Sequence, residues 1–423
     1  MRIFKRLFAR RQIRKGAGIA LALELNAASI AQIETADDGQ RRIMRLERIM
    51  IPVSQARGAN TRIVAEGELE GLTAAARRAQ GDAAPEYVVA GLDGSLAQSS
   101  MFRAVFEREQ PQEKITESEL RTVIEKAERA LRGSVEKHLS RAARGGLQLI
   151  DSTLEEVLLD GYSVPNPIGL VGKEVEVALF NTYAGEATME FLRHLQRLFN
   201  APKLITVSTA HALCRAFIQA AHDAFSAVFI GLGEAVTNVS VVARGRFMGT
   251  KTFSVGRGIF VRALGENLRL GAAEAANLVQ QYVQGSVSQH VARRVSNILR
   301  RASSVWGSGV ELALEEFRSA VDLFPATWYI YGPDAKLKDL AVVLADAKRF
   351  ADLPFFEQRT ITVLEAGALP FAGVLLPADR SSLPLDEAYT TVVAIAYLAC
   401  AEYRTPHKEL ERIVQQVAKL AYT

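Results

Sequence analysis

Residues 226–258 read SAVFIGLGEAVTNVSVVARGRFMGTKTFSVGRG. The first five residues, 226–230, form a short apolar run, and 231–235 make a glycine-containing turn. A second strand is expected over 236–243, with Val239, Val241 and Val242 apolar. The Arg244-Gly245-Arg246 turn leads to a third strand over 247–253, and Gly256-Arg257-Gly258 opens an apolar helix. A strand, a tight glycine turn and a strand can cradle a phosphate, because backbone N–H groups in such a turn point at one spot. Glycine lets the phosphate approach the backbone. Such a hairpin can equally be a plain turn, since glycine marks turns first.

The N-terminal part repeats the pattern. An apolar run, 18–23, is broken at 24–28 and followed by a strand over 29–34. Asp37-Asp38-Gly39 turns the chain into a third strand, 43–51. Two copies of one meander suggest two related halves. Between them lies Asp160-Gly161-Tyr162, followed at 164–177 by VPNPIGLVGKEVEV.

The order of these motifs resembles the actin-like ATPase superfamily, and within it the bacterial cell-division protein FtsA. Asp160, Gly161, Asn166, Pro167, Gly169 and Gly172 match the stretch that this family carries between its two phosphate hairpins. The resemblance runs from about residue 16 to about residue 402. The pilus protein PilM is a related, weaker match.

The resemblance implies a two-lobed α/β fold of the actin, Hsp70 and sugar-kinase type with an inserted small SHS2-like domain. The first subdomain would comprise 16–93 and 183–208 with a return helix at 385–402, and the insert 94–182. The second lobe would cover 209–384, with a helical region at 265–325. Within that region the apolar spacing predicts two amphipathic helices in 286–323, one through Val291, Val295, Ile298 and Leu299, the other through Leu312, Leu314, Phe317 and Val321. Further helices are expected over 68–79, 116–131, 186–199 and 389–400. In the insert, 147–150, 155–159 and 173–183 read as separate strands.

The implied function is a scaffold of cell division, cytoplasmic and peripheral on the inner membrane face. It would self-associate and tether the tubulin-like FtsZ, through the subdomain that here holds 286–323. The alternative is a PilM-like accessory of type IV pili, which binds a peptide from a membrane protein. An active phosphotransferase ranks last, and nothing points to nucleic acid.

The nucleotide motifs depart from the family. The nucleotide-facing positions implied are Glu24, Asn26, Ser29, Gly231, Gly233, Thr237, Gly256 and Gly332. Magnesium reaches phosphates through carboxylates. Here the first aspartate position is Glu24, a glycine position is Asn26, and the second aspartate position is Gly231. Glu234 and Ala235 replace two glycines, Asn238 follows Thr237, and the adenosine loop reads Gly332-Pro333-Asp334. Glu234 would repel a triphosphate unless Lys251 or Arg257 compensates it. The expectation is weak or absent ATPase activity, with ATP and magnesium held weakly or lost, and no catalytic residue is assigned.

Hydrophobic content of 49% and charged content of 23% are those of a soluble globular chain, and 423 residues suffice for two to four domains. The two cysteines, Cys214 and Cys400, sit in apolar patterns and read as core thiols. The six histidines have no metal-ligand spacing. The arm, 1–15, carries seven cations and no acid, with Ile3, Phe4, Leu7 and Phe8 at helical spacing among Lys5 and Arg6. That is the chemistry of membrane contact with anionic lipid. At the other end, 403–423, Leu410, Ile413, Val414, Val417 and Leu420 form an apolar stripe with a nearly neutral polar face, suited to packing on protein at least as well as on lipid.

Overall fold

The computed structural model describes residues 17–36, 38–50, 85–138, 147–221, 225–355, 357–400, 410, 412–414 and 416–417. The arm, with its candidate contacts Ile3 to Phe8, and the expected helix at 68–79 lie outside the described residues.

The apolar runs lack polar alternation, as strands covered on both faces do. They build two five-stranded sheets. In the first, β1 (Gly18–Glu24), β2 (Ala27–Thr35) and β3 (Arg41–Met50) form an antiparallel meander, while β4 (Tyr87–Leu92) joins β1 in parallel. β5 (Ala97–Glu107), α1 (Glu117–His138), β6 (Gln148–Leu159), β7 (Tyr162–Ser163) and β8 (Glu174–Ala184) follow as an inserted unit. After α2 (Glu186–Leu198), β9 (Leu204–Ser208) completes the first sheet, in the order β3-β2-β1-β4-β9.

The second sheet repeats this. α3 (Thr209–Ala221) leads to β10 (Ala227–Leu232), β11 (Thr237–Ala243) and β12 (Arg246–Phe253). Three helices follow: α4 (Gly258–Leu268), α5 (Ala272–Val283) and α6 (Gln289–Glu315). β13 (Thr327–Tyr331), α7 (Lys338–Ala345) and β14 (Thr360–Val363) finish the lobe, and the sheet order is β12-β11-β10-β13-β14. Each sheet is thus an antiparallel meander extended by two parallel strands. α8 (Ala372–Leu375) and α9 (Thr390–Cys400) return the chain to the first sheet.

α3 and α9 sit between the sheets. Ala212, Leu213, Phe217, Val392, Val393 and Ile395 share one core with Ala20 and Ile33 of the first sheet and Phe229 and Phe247 of the second. The outer face of the first sheet is covered by α2, and that of the second by α4, α5, α6 and α7.

Two expectations are corrected. The region 286–323 holds one 27-residue helix, α6, rather than two, and Phe317 and Val321 lie beyond its end. Two glycines within this helix are sites of close approach: a Cβ on Gly307 would lie 2.2 Å from Val343, and one on Gly309 2.4 Å from the Phe253 ring. Likewise 147–150 and 155–159 belong to a single strand, β6, whose pairing with β8 shifts register at Leu149/Asp151 and at Leu154/Glu156. These irregularities hide the period-two pattern.

The inserted unit is an antiparallel sheet, β5-β8-β6-β7, covered by α1. Leu410, Ile413, Val414 and Val417 of the tail are buried in the same core. Arg121 on α1 donates to Gln416 at 2.9 Å. The described part of the apolar stripe is therefore covered by protein.

Candidate functional site

The turns of the β1–β2 and β10–β11 hairpins face the cleft between the sheets, and the carboxylates on these turns, Glu24 and Glu234, each have an arginine partner. β2 and β3 pair with Ser29 opposite Arg48. Arg48 therefore reaches along the sheet to the turn, donating to both carboxylate oxygens of Glu24 at 2.9 and 3.2 Å and to Ser29 Oγ at 2.9 Å. Burial opposes the Arg48 charge, but Glu24 outweighs it and holds the guanidinium above its ordinary pKa. Asn26 is half-buried at the same turn.

In the second hairpin, β10 pairs with β13 so that Gly231 faces Tyr331. A Cβ at Gly231 would lie 2.5 Å from the Tyr331 hydroxyl and ring carbon Cζ. The phenol thus fills the place where the family's carboxylate would project. Its oxygen is buried without a hydrogen-bond partner, and burial, then Cys214 and Asp93, push its pKa up.

The rest of this hairpin is tied to the loop before α4. Arg257 N donates to Gly233 O at 2.8 Å and Gly258 N to Glu234 O at 3.0 Å. Gly256 must be glycine for this, since a Cβ there would meet Gly233 O at 2.4 Å and Glu234 O at 2.5 Å. Thr237 is fully buried: its hydroxyl donates to Val255 O at 2.6 Å and accepts from Trp306 Nε1 at 2.9 Å. Gly332, at φ +99°, makes the turn after β13, and a Cβ would strike Leu232 O at 2.3 Å.

Arg257 joins these pieces. Its Nη1 pairs with Glu234 at 2.6 Å and its Nε with Asp334 at 2.5 Å. One guanidinium therefore bridges the second hairpin to the loop after β13. Of the two cations expected to offset Glu234, Arg257 does so; Lys251 pairs instead with Glu316 at 2.8 Å.

Sequence reasoning missed Arg48, Tyr331 and, above all, Asp93. Asp93 ends β4, is 6% exposed, and its N–H donates to Leu23 O at 3.0 Å. Its carboxylate accepts from the Ser95 N–H at 3.0 Å and from the Ser95 hydroxyl. It also closes the cleft floor, where a Cβ on Gly233 of the other lobe would lie 3.2 Å from Asp93 Oδ2. Burial, then the charge of Glu24, push its pKa up to about 7. The only trace in sequence is an aspartate-glycine pair after a buried strand.

Glu24, Asn26 and Ser29 share one hairpin, and Gly231, Gly233, Gly256 and Gly332 meet at the other. Thr237 is turned into the core. A metal would find Glu24 engaged by arginine, and the described residues hold no cluster of three or more His, Cys, Asp or Glu placed to bind one. Both pairing edges of Arg257 are engaged by carboxylates. Breaking a buried pair costs about 3–5 kcal/mol, less where water reaches it. A second concavity of about 480 Å³ lies under the first sheet, lined by Val89, Ile205, Val207, Leu398 and Ala399 with Arg41 and Lys203 at its rim.

No family model matches this sequence, and no curated protein matches it. Among solved structures the chain is similar to PilM of the PilM–PilN type IV pilus biogenesis complex, with a TM-score of 0.63 at 13% identity over 90% of this chain and 98% of that one. The chain has the actin-like ATPase fold. The ethanolamine utilization protein EutJ from Carboxydothermus hydrogenoformans matches at a TM-score of 0.46 and 11% identity, over 92% of this chain and 91% of that one. An activator of 2-hydroxyisocaproyl-CoA dehydratase from Clostridium difficile, with bound ADPNP, matches at 0.36 and 11% identity, over 94% of this chain and 97% of that one. The similarity to PilM supports the actin-like fold and not FtsA in particular, and it gives FtsZ no support as partner. Among the described residues no helix is long and apolar enough to cross a membrane.

Proposed function

We propose that this chain is a nucleotide-independent docking scaffold of the PilM kind, working beside a membrane and holding a peptide of a membrane protein. The observation that carries this reading is Arg257, which occupies the gap between hairpin and adenosine-type loop and is held there by Glu234 and Asp334. A cleft glued by its own ion pairs does not need ATP to hold its shape. The similarity to PilM supports the pilus reading over the division reading, which the sequence motifs alone placed first. In this reading the inserted unit is SHS2-like and residues 2–15 supply a membrane contact.

The apolar concavity beside β9 is where a peptide would seat. β9 is the outer strand of its sheet, so an extended segment could add along it and place an apolar side chain against Ile205 and Leu398. A pull-down from the native cell tests this. Recovery of pilus-assembly membrane proteins, lost on Ala399→Trp, is the expected result. Recovery of division proteins alone would overturn it.

A further inference from the structure

The exposed face of α6 carries an unusual charge pattern. Residues 259–310 contain six arginines and two glutamates. Four of the arginines, Arg293, Arg294, Arg300 and Arg301, are exposed on α6. Successive helical residues turn by about 100°. Arg293 and Arg300 therefore form one row, Arg294 and Arg301 a second, with about 10 Å between members of a row and all four within about a third of the circumference. Asn297, also exposed, lies between the rows. The opposite side is core, where Val295, Leu299, Ala302 and Trp306 are buried. Among the described residues no carboxylate pairs with any of the four, while other surface cations such as Lys251, Lys336 and Arg349 do find carboxylates.

We infer that this face of α6 is a second membrane-contact surface, one that rests on anionic lipid headgroups and turns the protein on the bilayer. This goes beyond the proposed docking role and beyond the arm, since it assigns the contact to a folded element. Four guanidiniums without a carboxylate, on one side of a helix, suit a negatively charged partner. Among anionic partners the array fits lipid. The residue between its rows is the polar Asn297, to which Arg300 donates at 3.3 Å, and among the described residues no carboxylate fixes a guanidinium in one pose. Laterally mobile headgroups can arrange themselves under such an array, whereas a protein would need carboxylates in fixed register. Nearby acids are few. Glu274 faces back to its own helix start at Gly271, and Asp339 of the packed helix α7 is taken by Tyr282 and Ser296.

The test is co-sedimentation of the full chain with vesicles of phosphatidylcholine alone or containing a third phosphatidylserine. Each cation near an anionic surface strengthens binding roughly five-fold. The fourfold variant R293Q/R294Q/R300Q/R301Q is therefore expected to weaken binding to the anionic vesicles by on the order of 100-fold or more. Binding should fall with salt and be absent on phosphatidylcholine. The exchanges lie on a solvent face, so an unchanged melting temperature shows the fold intact. Deleting residues 2–15 serves as the parallel arm. If that deletion alone removes all pelleting and the fourfold variant binds as before, the α6 inference is overturned while the arm stands. If the variant keeps its vesicle affinity but loses binding to poly-glutamate, the face takes an acidic protein and the inference is again overturned. A full chain that ignores anionic vesicles overturns both.

Discussion

The β1–β2 and β10–β11 hairpins have the same strand order and differ in how they dispose of charge. The first keeps its carboxylate, Glu24, and neutralises it from a neighbouring strand through Arg48. The second has no carboxylate at Gly231, fills the room with Tyr331, and gains an acid at Glu234 that Arg257 must hold. One turn is a substituted site, the other a rebuilt one. Topology survives because it rests on buried strands and on α3 and α9, none of which needs a ligand. The turn residues that the resemblance aligns with a nucleotide site are here engaged by the protein's own side chains.

The largest break in the comparison should come from Arg257→Met. It strands two carboxylates in the second hairpin and should cost about 4 kcal/mol at pH 7. Denaturant unfolding measures this, and adding Glu234→Gln and Asp334→Asn should recover most of it.

Asp93, where the two lobes meet, should give the next largest effect. Its folded pKa, about 7, stands above the unfolded value near 3.8. The folded state therefore holds a proton that the unfolded state releases. The native carboxyl is at no disadvantage below the unfolded pKa, and stability falls as pH rises from about 4 to about 7. Asp93→Asn should remove that slope, which is worth on the order of 4 kcal/mol by pH 8. Melting temperature against pH, wild type beside variant, checks the sign.

In the first hairpin Arg48→Met leaves only Glu24 unpaired, at a partly wet turn, and should cost about 2 kcal/mol. The half-loss relative to Arg257 is the sharpest form of the comparison. Asn26→Ala should change stability by less than about 0.5 kcal/mol, since its side chain is only half-buried at a turn.

What the sequence disclosed follows the range of each interaction. Both meanders and the apolar helix at 389–400 were legible because apolar period and turn glycines are local signals, whereas the insert was implied by the family resemblance alone. Glu234 was legible as a misplaced charge, and Arg257 as one of two cations able to answer it. Arg48 was not, because it meets Glu24 only through the pairing of β2 with β3. Tyr331 lies a hundred residues from Gly231 and reaches it through parallel pairing across β10 and β13. Asp93 faces Gly233 across the cleft, a contact that only the assembled lobes create.

In the proposed function, ion pairs take the place of nucleotide in holding the cleft. Thermal unfolding of the purified chain with and without millimolar ATP and magnesium tests it most directly. A ligand at one hundred times its Kd would stabilise the fold by about 2.7 kcal/mol, a shift of several degrees. The account predicts no shift. A clear shift with Mg-ATP that Glu24→Ala abolishes would contradict it.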